Sequence, residues 1–185
     1  MIIFISGGSK SGKSKIAESW ASKLRKRDER LIYLATMKPC DSEDLKRIEK
    51  HIEDRKKYNF KTFEINKNIE KIVDSIKATD TVLLDSITSL VTNEMFSKES
   101  INLNVSGHIL NGINNIFMKA KNLIIVSDYI FSDSTVYDEF TENFRRELGH
   151  INTEISIKAD VVCESLYKNI TIYKGEELLK YEKLI

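Results

Sequence analysis

The apolar run Ile2-Ile3-Phe4-Ile5 leads through Ser6 into Gly7-Gly8-Ser9-Lys10-Ser11-Gly12-Lys13-Ser14. That octapeptide fits the pattern G-x-x-x-x-G-K-[ST], and no other segment restricts the fold as much. Its glycines let the backbone curl until several N–H groups converge on one point. The run before it reads as a strand, and the helical pattern from about Lys13 to Arg27 reads as the helix it opens. A strand, an amide-lined turn and a helix N-terminus together make a site for phosphate oxygens. Lys13 can then reach the β- and γ-phosphates of a nucleoside triphosphate, and the Ser14 hydroxyl can ligate Mg²⁺. Residues Gly7, Gly8, Ser9, Lys10, Ser11, Gly12, Lys13 and Ser14 are thus the expected nucleotide-binding loop. The competing explanation is a chance Gly/Ser turn, which a random chain of this length offers about once in a hundred. Chance does not require the flanking strand and helix.

Three further apolar runs follow, Leu31 to Ala35, Thr81 to Leu84 and Leu123 to Val126. Each is apolar at consecutive positions, as strands covered on both faces are. Helical stripes alternate with them: Leu45, Ile48 and Ile52; Ile69, Ile72, Val73 and Ile76; Ile109, Leu110, Ile113, Ile116 and Phe117. The longest is Val136, Phe140, Phe144, Leu148, Ile151 and Ile155. Strands alternating with helices predict an α/β fold, P-loop NTPase-like, with a mainly parallel sheet flanked by helices. Val161–Cys163 and Ile170–Tyr173 read as closing strands that could pair as an antiparallel edge hairpin. The single proline (Pro39), seven glycines and absence of repeats mark no linker, so residues 1–185 read as one domain. In such sheets ligands sit at the carboxyl ends of the strands.

The charge balance excludes little but excludes it clearly. With 29 basic and 28 acidic residues, nothing points to nucleic acid or an anionic membrane as partner. No apolar run approaches the roughly 18–20 residues that span a bilayer, and the start of the chain reads as a strand rather than a signal peptide. A cytoplasmic protein is expected. Cys40 and Cys163 lack metal-ligand spacing and read as free thiols of a reducing compartment.

Asp85 closes the third strand, where nucleotide-binding sheets of this kind place the carboxylate that holds Mg²⁺ beside the loop's Ser or Thr. Asp128, just past the fourth strand, competes for that role. Of the histidines, His51, His108 and His150, each is by type more often a solvated or packed helix residue than a catalyst. His51 lies on the flank of the Leu45/Ile48/Ile52 stripe, half buried, with Arg55 one turn later. A guanidinium there favours neutral imidazole and could hold a phosphate against it, and neutral imidazole attacks phosphorus.

These residues resemble the bifunctional adenosylcobinamide kinase/adenosylcobinamide-phosphate guanylyltransferase family of cobalamin biosynthesis. The likeness rests on Ile5 to Ser14, on Tyr33-Leu34-Ala35-Thr36, and on Arg47-Ile48-Glu49-Lys50-His51 through Arg55. It continues in Leu84-Asp85-Ser86-Ile87-Thr88-Ser89-Leu90-Val91-Thr92-Asn93, and in Phe144-Arg145, Leu148-Gly149, Ile151-Asn152 and Ala159-Asp160. It implies that His51 takes GMP from GTP and passes it to adenosylcobinamide phosphate. The same enzyme would phosphorylate adenosylcobinamide with ATP or GTP, using Mg²⁺, as a homotrimer. Lys50 stands where the family has the first of two histidines, and Asp128 through Asn143 lacks the family's glycine- and proline-containing loop. Two other readings stay open: a P-loop kinase for another small molecule, and a GTP-binding protein with degraded catalysis. No N-K-x-D motif of a GTPase switch follows an apolar strand, and no short motif reads the base.

Overall fold

The computed structural model describes residues 1–39, 41–97 and 101–185, so Cys40 lies outside the described residues. The strands are β1 (Ile2–Gly7), β2 (Leu31–Ala35), β3 (Lys61–Glu64), β4 (Thr81–Asp85), β5 (Asn122–Asp128), β6 (Val161–Leu166) and β7 (Asn169–Lys174). They form one sheet in the order β3-β2-β4-β5-β1-β6-β7. Every pairing is parallel except the β6–β7 hairpin, which is antiparallel as the sequence predicts.

Alternation along the strands explains why they are apolar throughout. Ile3 and Ile5 join one core with Leu31, Leu83, Ile124 and Val126; Ile2 and Phe4 join the other with Ile32, Leu84 and Ile125. The first face is covered by α1 (Lys13–Leu24), through Ala17, Trp20, Ala21 and Leu24. Cys163 of β6 is buried in this layer as a free thiol, and burial pushes its pKa up to about 12.

α2 (Ser42–Arg55) starts where the Asp41 side chain accepts from the Glu43 and Asp44 amides. Its apolar stripe does not enter either core: Leu45 and Ile52 remain 51% and 42% exposed. The second face of the sheet is covered by α3 (Ile87–Met95), α4 (Ser106–Lys119) and α5 (Glu139–Lys158). The Ile69/Ile72/Ile76 stripe packs there too, but as a 3-10 helix, Ile69–Ser75. Val136 stands outside the long helix it was expected to begin, and is exposed. Asp138 sets the boundary instead, its carboxylate accepting from the Phe140 and Thr141 amides. α6 (Glu176–Tyr181) returns to the first face through Leu179. Among the described residues no helix is long and apolar enough to cross a membrane.

Strand order decides what meets at the carboxyl edge. β5 lies between β1 and β4, with Gly7 in register with Asp128 and Asp85 with Val126. The end of β5 therefore separates the loop after β1 from Asp85, and Ala35 of β2 follows beyond Asp85.

Candidate active site

The loop between β1 and α1 is held from three sides. Gly7 is pressed against β6, where an added Cβ would stand 2.4 Å from the Ser165 carbonyl oxygen. Gly12 caps α1 with φ +103°, a conformation glycine adopts without strain. The Ser11 amide donates to the Gly8 carbonyl at 3.2 Å, closing the turn. Lys13 is buried, its ammonium donating to the same carbonyl at 3.0 Å and meeting Asp128 at 2.5 Å. Asp128, weighed as a magnesium ligand, is thus engaged by the loop's own lysine. The Ser11 hydroxyl is buried with no hydrogen-bond partner among the described residues, a polar atom that a phosphate oxygen would satisfy.

Two openings meet at this loop. One is the loop mouth itself, lined by Lys10, Ser11, Gly12, Lys13 and Ser14. The other is a pocket walled by Met37, Leu45, Ile48 and Ile52, which explains why the α2 stripe stays out of the core. Its polar lining includes Tyr33, Arg55, Glu64 and Asp85. Ser14 and His51 line both openings, so they mark where the two join. His51 is half-buried, as its place on the flank of the stripe predicts.

Beneath the pocket lies a cluster of buried charge. The Arg55 guanidinium stacks over the Tyr33 ring, 3.7 Å from its centroid. It lines the apolar pocket and not the loop mouth, so its contact is with an aromatic ring rather than with the turn. The Tyr33 hydroxyl donates to Asp85 at 2.6 Å; burial first, then the Asp85 charge, holds its pKa well above the ordinary value, so it stays a donor. Glu18, on α1, is buried, and burial raises its pKa to about 7, with Arg55 pulling it down and Asp85 pushing it up.

Ser14 and Asp85 offer hard oxygen donors on one lining, which suits Mg²⁺, an ion usually held by one or two protein oxygens plus substrate phosphates. Among the described residues no group of three or more His, Cys, Asp or Glu side chains is arranged to hold a metal ion by itself. The structure brings Gly7 to Ser14, His51, Arg55 and Asp85 to one edge of the sheet. It adds Glu18 and Glu64, which motif reading passed over, and it gives a place in the site to Tyr33, which the sequence offered only within the strand motif Tyr33-Leu34-Ala35-Thr36. Glu18 did carry a signal, being an acid on the face of α1 that also presents Ala17 and Ala21 to the core. Glu64 carried none.

The fold and this loop define a P-loop nucleotide-binding α/β protein. Residues 3–166 match the model of the CobU family, cobinamide kinase / cobinamide phosphate guanyltransferase, and the chain belongs to that family. The bifunctional adenosylcobalamin biosynthesis protein CobU of Escherichia coli (strain K12) is 33% identical over 97 residues, 52% of this chain and 51% of that one. Its namesake from Salmonella typhimurium is 31% identical over 98 residues, again 52% and 51%. The aligned segment spans about half the length of these curated relatives. Among solved structures, the flagellar accessory protein FlaH from Methanocaldococcus jannaschii aligns with 94% of this chain and 77% of its own. The identity is 16% and the TM-score 0.49.

Proposed function

We propose that this protein transfers GMP from GTP through His51 to adenosylcobinamide phosphate, and phosphorylates adenosylcobinamide at the same loop. One observation carries the reading: His51 and Ser14 stand where the apolar pocket joins the loop mouth. A nucleoside triphosphate laid with its base in the pocket and its β- and γ-phosphates in the loop has its α-phosphorus at that junction. A ring nitrogen of His51 then attacks the α-phosphorus, an N–P bond forms, and the bond to the bridging oxygen breaks. Pyrophosphate leaves toward the loop, where the amides and Lys13 receive its charge. A phosphate oxygen of the acceptor next attacks the same phosphorus and releases the imidazole. Bound Mg²⁺, held by Ser14 and Asp85, would neutralise charge on the phosphate oxygens. For the kinase step the loop presents the γ-phosphate to the acceptor hydroxyl instead.

The test is incubation with Mg²⁺ and α-labelled GTP followed by a denaturing gel. The parent chain should carry label that is stable to base and labile to acid. His51→Ala should carry none while still binding GTP. An unlabelled parent that binds GTP would remove His51 as nucleophile and leave a plain kinase or a binding protein.

Guanine and adenine differ in what they ask of the pocket. Guanine presents N1–H and a 2-amino group side by side, two donors that a carboxylate accepts together. Two carboxylates line the pocket, Glu64 and Asp85; Asp85 accepts from the Tyr33 hydroxyl and is the one proposed to hold Mg²⁺, which leaves Glu64 to meet the base. We expect Glu64→Gln to lower the ratio of GTP to ATP affinity by about tenfold, measured by competition binding. An unchanged ratio would take base reading away from Glu64.

A further inference from the structure

β6 and β7 are joined by two residues, Tyr167 and Lys168, between the paired Leu166 and Asn169. Both are left-handed, with φ of +50° and +67°. A two-residue hairpin with positive φ at both positions is the turn that Asn-Gly or Gly-Gly fills without strain. Here it holds a tyrosine and a lysine, side chains that tolerate this conformation poorly. Nothing in the hairpin's folding asks for lysine at 168; glycine would relax the turn.

The turn rests on the phosphate loop. The Lys168 amide donates to the Ser11 carbonyl at 2.9 Å, and the buried Ser165 hydroxyl donates to the same oxygen at 3.0 Å. The Lys168 stem lies over Gly12, its Cγ 3.3 Å from where a Cβ on that glycine would stand. Lys168 thereby lines the same mouth as Ser11, Lys13 and Ser14, although it lies more than 150 residues away in the chain. Its ammonium has no ion pair among the described residues, whereas Lys13 is engaged with Asp128. Asp41, Glu43, Asp44 and Asp54 also line this mouth, and all four come from α2 or its cap. Lys46 and Lys50 of α2 share that lining, and Lys15 pairs with Asp54 at 3.4 Å, so the mouth carries cations on the α2 side as well as on the loop and hairpin.

The geometry points to Lys168 as a phosphate-binding residue: a cation delivered by the closing hairpin to the β- and γ-phosphates of the nucleoside triphosphate, beside Lys13. This rests on the nucleotide site proposed above and extends it to the far end of the chain. The hairpin turn is then part of the site and not only the edge of the sheet.

Titration calorimetry of GTP, GDP and GMP with Mg²⁺, on the full chain, tests it with Lys168→Gly and Lys168→Arg. Lys168→Gly keeps the amide that holds Ser11 and relaxes the turn, so its melting temperature should equal or exceed the parent's. Its GTP affinity should fall about tenfold while GMP affinity stays unchanged, and arginine should restore GTP binding to within about threefold. GTP binding by Lys168→Gly as tight as the parent's would overturn the inference. So would equal losses for GTP and GMP accompanied by a lower melting temperature, which mark a structural residue. A parent that binds GTP but forms no adduct on His51 contradicts the proposed transfer and leaves this inference standing. A parent that binds no triphosphate contradicts both.

Discussion

Lys13→Ala should slow the transfer of GMP to His51 by about a thousandfold or more, with His51 itself untouched. The step that forms the N–P bond must expel pyrophosphate, and the leaving oxygen gains charge as the bond to α-phosphorus breaks. Lys13 is held at the loop by the Gly8 carbonyl at 3.0 Å and by Asp128 at 2.5 Å, where the proposed reaction would develop that charge. Removing one preorganised donor from such a site costs about 10²–10³ in rate, and a cationic clamp on transferring phosphoryl groups reaches about 10³–10⁵. The fold should suffer far less. Asp128 loses its partner, but its side chain is 29% exposed and can take up water, so about 1 kcal/mol of stability is at stake. Single-turnover labelling at saturating α-labelled GTP, beside thermal unfolding, separates the two effects. Labelling near the parent rate would mean that pyrophosphate does not leave toward this loop, and the assignment of base to pocket and phosphates to loop would fall with it.

What could be read before the structure was whatever is local in the chain. The phosphate loop is eight consecutive residues, and the central strands are uninterrupted apolar runs, so both were legible. α3 was not. Ile87, Thr88, Val91 and Thr92 are β-branched, a composition that argues against helix. Burial of Ile87, Leu90 and Val91, with the Ser86 hydroxyl accepting from the Ser89 amide, overrides that local preference. β3 was missed because an edge strand with only Phe63 apolar lacks the periodic signal. The α2 stripe was read correctly as one-sided, but periodicity does not say what the side faces. Here it faces a pocket. Contacts between distant residues were likewise out of reach: Lys13 meets Asp128 because β5 lies beside β1, and Tyr33 meets Asp85 because β4 lies beside β2.

Glu18 should make the protein less stable as pH rises, and Glu18→Gln should remove much of that loss. The carboxyl is 2% exposed, and its pKa is raised from 4.5 to about 7, by burial above all. Between those two values the folded chain holds a proton that the unfolded chain has released. Unfolding then sheds protons, so this group's contribution to stability is fully present below pH 4.5, declines up to pH 7 and stays lost above it. A shift of this size corresponds to about 3 kcal/mol as an upper bound. Glutamine keeps the shape and cannot ionise. Urea unfolding should therefore find Glu18→Gln close to the parent at pH 5 and about 2–3 kcal/mol more stable at pH 8. A difference between variant and parent that does not change with pH would show that Glu18 titrates as an ordinary carboxyl. The sign also bears on the site. Arg55 is a buried cation, and the groups facing it include Glu18 and Asp85, of which Asp85 also takes the Tyr33 hydroxyl. A neutral amide at 18 leaves Asp85 as the stronger of the two attractions, drawing the guanidinium toward the carboxylate proposed to hold Mg²⁺. Weaker Mg²⁺-dependent GTP binding in a variant that is more stable at pH 8 is the expected consequence. It would mean that the buried acid is kept at a loss of stability because it holds Arg55 over Tyr33 and away from Asp85.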